Sequence, residues 1–209
     1  MMSQSSLHGN APDTCEVALL LIDVINDLEF EGGEELLPHA LRMARSLSQL
    51  KARARKHGVP VVYVNDNFGK WRSDFPRLLR HCLEDGVRGE KVVELLRPTD
   101  DDYFVLKPKQ SGFYSTTLDI LLRYLGTRTL VLTGIATDIC VLFTANDAYM
   151  RDFRLFIPSD CVAAKDNEAS ANALTHMQRV MKADTSPSNE IDFARRLARK
   201  RDADGAPRS

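Results

Sequence analysis

The architecture of this chain is most visible in the run Leu130-Val131-Leu132-Thr133-Gly134-Ile135-Ala136-Thr137-Asp138-Ile139-Cys140. It begins as an apolar strand, turns near Gly134, and leads into a helical pattern from Val141 to Met150. A strand, a tight turn and a helix in this order are typical of a parallel α/β sheet. Cys140 then falls in the first turn of the helix, where unpaired N–H groups and the helix dipole favour a thiolate. The run therefore predicts an α/β fold and a candidate nucleophile.

Strand and helix patterns alternate along the whole chain. The predicted strands are 17–24, 59–64, 103–106, 129–133, 153–157 and, more weakly, 181–185. The predicted helices are 36–57, 73 or 74 to 82, 90–96, 116–125, 137–151 and 167–181. This alternation predicts a doubly wound, mostly parallel sheet of about six strands with helices on both faces, a Rossmann-like three-layer fold.

The length and composition predict one domain and exclude several classes of partner. A chain of 209 residues can bury one sizeable core. Its 28 basic and 29 acidic residues give a net charge of -1, which does not favour binding to nucleic acid or to an anionic membrane. No apolar run reaches the ~18 residues that a membrane helix needs. We expect a flexible leader at 1–14, the folded domain at 15–190 and a polar, basic tail at 191–209.

The cysteines and histidines do not have the spacing of disulfide or metal motifs. Cys15, Cys82, Cys140 and Cys161 form no CxxC pair, which predicts reduced thiols and a cytoplasmic protein. The five histidines are scattered, and no glycine-rich nucleotide motif occurs. The sequence therefore predicts no metal and no organic cofactor.

Polar residues with complementary chemistry follow several predicted strands. Asp23 ends the first strand, Asn65 and Asp66 follow the second, and Lys107 follows the third. The fourth strand leads to Cys140. Because ligands of such sheets bind at the carboxyl ends of the strands, an acid, a base and a thiol are expected to meet at one edge.

These groups together have the chemistry of nucleophilic catalysis. Asp23 can accept the proton of the Cys140 thiol, and Lys107 can stabilise the thiolate and hold the carboxylate. Attack on a carbonyl creates an oxyanion, which needs backbone N–H donors. The turn before Cys140 can supply them, with Ala136 and Cys140 as the best-placed donors.

Three segments resemble the signatures of the isochorismatase-like cysteine hydrolases. They are Asp23-Val24-Ile25-Asn26-Asp27, then Lys107 before Ser111-Gly112-Phe113, and Gly134 to Cys140. The resemblance covers about residues 16–185 and implies a catalytic triad of Asp23, Lys107 and Cys140. It also implies a cis peptide bond between Ile135 and Ala136. A small amide or ureide substrate and a homodimer or homotetramer are further expectations from the resemblance.

Two features narrow the resemblance within this superfamily. Nicotinamidases of the family carry an Asp-x-His metal motif after the second strand, whereas residues 65–72 contain no histidine. The true isochorismatases, which cleave a vinyl ether, lack the nucleophilic cysteine, so Cys140 favours the amidase branch. Three alternatives stay open: a vinyl-ether hydrolase, a non-catalytic binding module, and a redox sensor.

Four residues are candidates for the substrate pocket, and each has a structural alternative. Asn26 can instead hold its loop through hydrogen bonds to the backbone, and Phe113 can be a core aromatic. Trp71 and Arg72 can cover a small substrate or belong to a solvated loop or a subunit contact. If Arg72 pairs with a substrate carboxylate, Arg72→Ala raises the KM for an acidic amide more than for a neutral one. Equal effects on the two substrates would remove Arg72 from the pocket.

Overall fold

The computed structural model of the chain describes residues 14–67 and 74–194, and within them six parallel strands form one sheet. The strands are β1 Val17–Ile22, β2 Val61–Asp66, β3 Tyr103–Lys107, β4 Thr129–Ile135, β5 Arg154–Phe156 and β6 Val162–Ala163. The α-helices are α1 Gly33–Lys56, α2 Phe75–Glu84, α3 Glu90–Leu95, α4 Leu118–Tyr124, α5 Leu142–Tyr149 and α6 Asn167–Met181. The predicted doubly wound α/β class is confirmed.

The strand order places a crevice beside the central strand. The sheet runs β3-β2-β1-β4-β5, and β6 also pairs with β4. All six residues of β1 are buried, as expected of a strand that is covered on both faces. After β1 the chain builds one half of the sheet through β2 and β3, and then returns to build the other half from β4. Loops therefore diverge between β1 and β4, which is where sheets of this type bind ligands.

The sheet separates two hydrophobic cores. Alternate residues of a strand face opposite sides, so Leu19 packs beneath α1 while Leu20 packs beneath the helices of the other face. Leu47 of α1 is fully buried in the first core, and Ala145 of α5 is fully buried in the second. Each such leucine stabilises the fold by about 2 kcal/mol through burial alone.

Several boundaries differ from the sequence prediction for local reasons. β1 ends at Ile22 rather than at Val24, because Asp23 adopts a left-handed backbone with φ 52°. The helix predicted at 137–151 starts as a π-helical turn, Thr137–Val141, before α5 begins. Asp74 caps α2, with its carboxylate accepting from the N–H of Arg77 at 2.7 Å, as the sequence suggested.

The prediction of a weak strand at residues 181–185 is wrong. The sixth strand is β6, which pairs with the end of β4, whereas Asp184 forms only a single bridge with Phe156. A two-residue strand is too short to show a sequence pattern, so β6 was missed.

The folded chain extends past residue 190, where the domain was expected to end. Ile191 and Phe193 are buried in the core beneath α1. The guanidinium of Arg53 donates to the carbonyl oxygens of Ser188 and Ile191, which fastens this segment to α1. The expected leader at 1–14, apart from residue 14, and the tail beyond residue 194 lie outside the described residues.

Candidate active site

The carboxylate of Asp23 lies at the carboxyl end of β1, in the centre of the sheet. The N–H of Asp23 donates to the carbonyl oxygen of Val64 at 2.9 Å, and its Oδ1 accepts from the N–H of Asp66 at 2.7 Å. Aspartate tolerates the left-handed backbone of this position better than most residues do. The two bonds to β2 fix a carboxyl group that is almost fully buried.

Lys107 connects the acid to the thiol. It is the last residue of β3 and is fully buried. Its Nζ lies 2.8 Å from Oδ2 of Asp23 and 3.5 Å from Sγ of Cys140. A second carboxylate, that of Asp66, approaches the same Nζ at 3.4 Å. Side chains from three separate segments thus converge on one ammonium group.

The turn that carries Cys140 needs a glycine at its start. Gly134 has φ 110°, and a Cβ atom at this position would lie 2.0 Å from the carbonyl oxygen of Ile22. The bond between Ile135 and Ala136 is cis. The turn places Cys140 half-buried in the π-helical segment, with its sulfur towards Lys107. β1 and β4 therefore approach closely at the point where Asp23 and the cysteine turn leave the sheet.

The electrostatics of this cluster keep the thiol protonated at neutral pH. Burial, and then the Asp23 carboxylate, raise the pKa of Cys140 to about 12, although Lys107 acts in the opposite direction. Burial also raises the pKa of Asp23, against the stabilising charge of Lys107. Burial alone would lower the pKa of Lys107, but Asp23 and Cys140 more than offset it and raise that pKa. Desolvation therefore opposes the preference for a thiolate at a helix start, and the thiol needs Asp23 beside it to lose its proton.

A family model of the isochorismatase domain matches residues 17–186, which contain all three of these side chains. The chain belongs to the isochorismatase family. The family predicted from the three sequence signatures is confirmed.

Relatives of this isochorismatase-family chain include amidases. The isochorismatase family protein YaaI of Bacillus subtilis (strain 168) is 41% identical over 174 residues, which are 83% of this chain and 95% of YaaI. The ureidoacrylate amidohydrolase RutB of Methylorubrum extorquens is 31% identical over 68% of this chain and 67% of its own. The crystal structure of N-carbamoylsarcosine amidase from Thermoplasma acidophilum has a TM-score of 0.66 and 33% identity, over 85% of this chain and 99% of that one.

The pocket candidates have structural contacts where they can be described. Oδ1 of Asn26 accepts from the N–H of Leu28 at 2.8 Å, so this side chain holds its own loop. The ring of Phe113 is buried, packs near Phe153 and lies beneath the guanidinium of Arg151. These are the contacts of a loop-stabilising amide and a core aromatic. Trp71 and Arg72 lie outside the described residues.

Asp66 was not included in the predicted triad, although it touches two of its members. The register pairs Asp66 of β2 with Lys107 of β3, and this pairing brings its carboxylate to the ammonium group. The sequence contained part of this signal, since both residues end neighbouring strands. Alignment of the two strands to within one residue was needed to see it.

Neither a cluster of metal ligands nor a membrane-spanning helix occurs within residues 14–67 and 74–194. No three His, Cys, Asp or Glu residues in these ranges are grouped as metal ligands would be. Among the helices described in these ranges, none combines the length and the apolar character that crossing a bilayer requires.

Proposed function

We propose that this isochorismatase-family protein hydrolyses a small amide, ureido or carbamoyl C–N bond through a thioester on Cys140. The observation that carries the proposal is the position of the Lys107 ammonium, 2.8 Å from Asp23 and 3.5 Å from the Cys140 sulfur. The amidase names of RutB and of the Thermoplasma enzyme support the same bond type. No step requires a cofactor.

In the first step, the thiol proton passes to Asp23 as the sulfur attacks the carbonyl carbon. A thiol with a pKa of about 12 needs a base beside it, and Asp23 contributes a hydrogen bond to the sulfur. Burial raises the pKa of the Asp23 carboxyl, which makes it a stronger base than an exposed aspartate. Lys107 keeps its charge and stabilises the negative sulfur as the proton leaves.

The oxyanion that forms is proposed to bind the N–H groups of Ala136 and Cys140. The N–H groups of Ile139 and Val141 both donate to the carbonyl oxygen of Ala136, at 3.1 Å each. Among the described residues, the N–H of Cys140 lies between these donors and does not share that carbonyl. The π-helical spacing thus keeps this N–H, which belongs to the same residue as the sulfur, away from the Ala136 carbonyl. A donor of this kind contributes on the order of 3 kcal/mol to lowering the barrier.

The second half of the reaction returns the enzyme to its starting state. The tetrahedral intermediate collapses, the C–N bond breaks, and Asp23 gives its proton to the leaving nitrogen. Water then attacks the thioester while Asp23 accepts one of its protons. When the C–S bond breaks, that proton returns to the sulfur and the acid product leaves.

A homodimeric or homotetrameric assembly and a cytoplasmic location stay predictions from the sequence.

The decisive experiment is a screen for ammonia release from amides, ureides and carbamoyl amino acids. We expect at least one compound to be hydrolysed by the wild type. In Cys140→Ser, kcat for that compound should fall by about 10³-fold or more. Cys15→Ala, at a buried position before β1, is the matched control and is expected to keep wild-type turnover. Mass spectrometry of the quenched reaction should find the acyl group on Cys140.

Two outcomes would replace the proposal by one of the alternatives. Undiminished activity of Cys140→Ala on a vinyl ether would indicate chemistry that does not use the thiol. The absence of both turnover and any Cys140 adduct across the screen would favour a binding module.

A further inference from the structure

Thr144 joins the cysteine turn to the loop that follows Lys107. It lies on α5, one helical turn after Cys140, and is fully buried. Its Oγ1 donates to the carbonyl oxygen of Cys140 at 2.7 Å and accepts from the N–H of Gly112 at 3.0 Å. A hydroxyl has one proton to donate and lone pairs to accept, so one side chain meets both demands.

The backbone at Gly112, which donates to the Thr144 hydroxyl, is packed tightly against its neighbours and can therefore hold Thr144 in place. A Cβ atom at Gly112 would lie 2.8 Å from Cγ1 of Val64 and 3.2 Å from Cδ2 of Leu118, so the backbone there packs directly on its neighbours. Gly112 follows Lys107 by five residues along the chain. A second bond, from Oγ of Ser111 to Asp147, fastens the same loop to the next turn of α5.

The bond to Cys140 acts on the nucleophile itself. It fixes the carbonyl that follows the Cα of Cys140, and the N–H preceding that Cα is the proposed oxyanion donor. The sulfur lies 3.5 Å from Nζ of Lys107, within hydrogen-bond reach, and a rotation of the cysteine residue would lengthen this distance. Position at this distance decides whether the ammonium group helps the thiol to lose its proton.

We propose that Thr144 is a positioning residue, whose hydroxyl sets the sulfur of Cys140 at its working distance from the ammonium of Lys107. This inference rests on the proposed function only for its turnover readout. Alkylation of the thiol tests the placement of the sulfur without any substrate, so failure of the two proposals can be told apart.

The experiment compares Thr144→Val, which keeps the shape and removes the hydroxyl, with Thr144→Ser, which keeps the hydroxyl. We measure the second-order rate of Cys140 alkylation by iodoacetamide from pH 7 to 10, and kcat and KM for any amide found in the ammonia screen. The valine variant is expected to lose about tenfold in alkylation rate and in kcat with KM within twofold. The serine variant should stay within threefold of wild type.

Thr175→Val is the matched control. Thr175 makes the same hydroxyl-to-carbonyl bond within α6, to Ala171 at 2.9 Å, but it is exposed. Its removal should leave alkylation and kcat unchanged. Thermal unfolding of each variant shows whether a slower reaction comes from a displaced Cys140 sulfur in a folded protein or from a protein that has unfolded.

Specific outcomes overturn the inference. Equal alkylation rates in the valine and serine variants would show that the hydroxyl does not place the sulfur. A loss in the serine variant alone would assign the effect to packing of the methyl group. If Thr144→Val does not fold, Thr144→Ala is compared with Thr144→Ser in the same way. If Thr144→Ser folds but Thr144→Val and Thr144→Ala do not, the hydroxyl of Thr144 has a purely structural role.

Discussion

Two buried lysines on opposite faces of the sheet have opposite surroundings. Lys107 faces two carboxylates and a thiol, with the nearest carboxylate oxygen at 2.8 Å. Lys51 of α1 instead lies 2.6 Å from the hydroxyl of Tyr63 and 2.6 Å from the carbonyl oxygen of Arg97. Its only charged partner among the ion pairs of the described residues is Asp102, at 3.7 Å. One lysine has charged partners in direct contact, and the other mainly neutral ones.

The difference decides which lysine stays firmly charged. Burial lowers the pKa of Lys51 to about 8; Asp102 offsets this only in part, and the positive charge of Arg55, which pairs with Asp102 at 2.5 Å, lowers the pKa further. The pKa of Lys107 is raised, since Asp23 and the sulfur more than offset the same desolvation. A buried ammonium beside a carboxylate and a thiol can stabilise the negative charge that forms when the thiol loses its proton. A buried ammonium among carbonyl oxygens chiefly joins segments of the fold.

Replacing each lysine by methionine should give the largest contrast. We expect Lys107→Met to lower kcat/KM by on the order of 10³-fold, because it removes the charge that holds Asp23 and stabilises the sulfur. Lys51→Met should change kcat/KM by less than threefold. The measurement is steady-state kinetics on the amide identified by ammonia release. Similar losses of kcat/KM in Lys107→Met and Lys51→Met would mean that both lysines support the fold and that Lys107 has no special part in the reaction.

The pH dependence of Cys140 alkylation should reveal the raised pKa of the thiol. With a pKa of about 12, the reactive thiolate is scarce at pH 7, and its fraction rises about tenfold per pH unit up to pH 10. The iodoacetamide rate, with the modified residue identified by peptide mass, should follow this rise without a plateau. In Lys107→Met the rate should be lower at each pH, since the charge that favours the thiolate is gone. A plateau below pH 9 in the wild type would contradict the prediction.

Lys51 should instead affect how stability depends on pH. Its pKa is about 8 in the folded state and near 10.5 when unfolded, so the unfolded chain binds more protons between these values. The free energy of unfolding of the wild type should therefore rise between pH 8 and 10.5, relative to Lys51→Met, by on the order of 1–2 kcal/mol. Urea unfolding at pH 7, 8, 9 and 10 tests this. If the free energy of unfolding depends on pH in the same way in the wild type and in Lys51→Met, the pKa of Lys51 is not lowered by folding.

The second carboxylate on Lys107 should have the smallest effect. The side chain of Asp66 is about one third exposed and lies 3.4 Å from Nζ, so solvent weakens the pairing. We expect Asp66→Asn to lower kcat/KM about threefold to fivefold. Asp85→Asn, which alters an exposed carboxylate bound to His81, is the control and should leave kcat/KM unchanged. A loss as large as that of Lys107→Met would place Asp66 on a par with Asp23.

The sequence predicted the central strands well because they are long and buried. The run Val17–Ile22 is apolar throughout, and α6 was predicted with the boundaries that it has, Asn167–Met181. β6 was missed because its two residues carry no periodic signal. Ile191 and Phe193 were assigned to a tail, since their burial depends on α1, which is distant in the sequence.

The sequence by itself determined the α/β class and the family, and it selected Asp23, Lys107 and Cys140. Strand periodicity and the three signatures are local properties, which a chain displays without being folded. Only the tertiary structure decided that the thiol has a raised pKa, that Asp66 shares Lys107, and that Thr144 bridges two loops. Desolvation, strand register and hydrogen-bond distance arise between segments that are far apart in sequence, and so no stretch of residues encodes them alone.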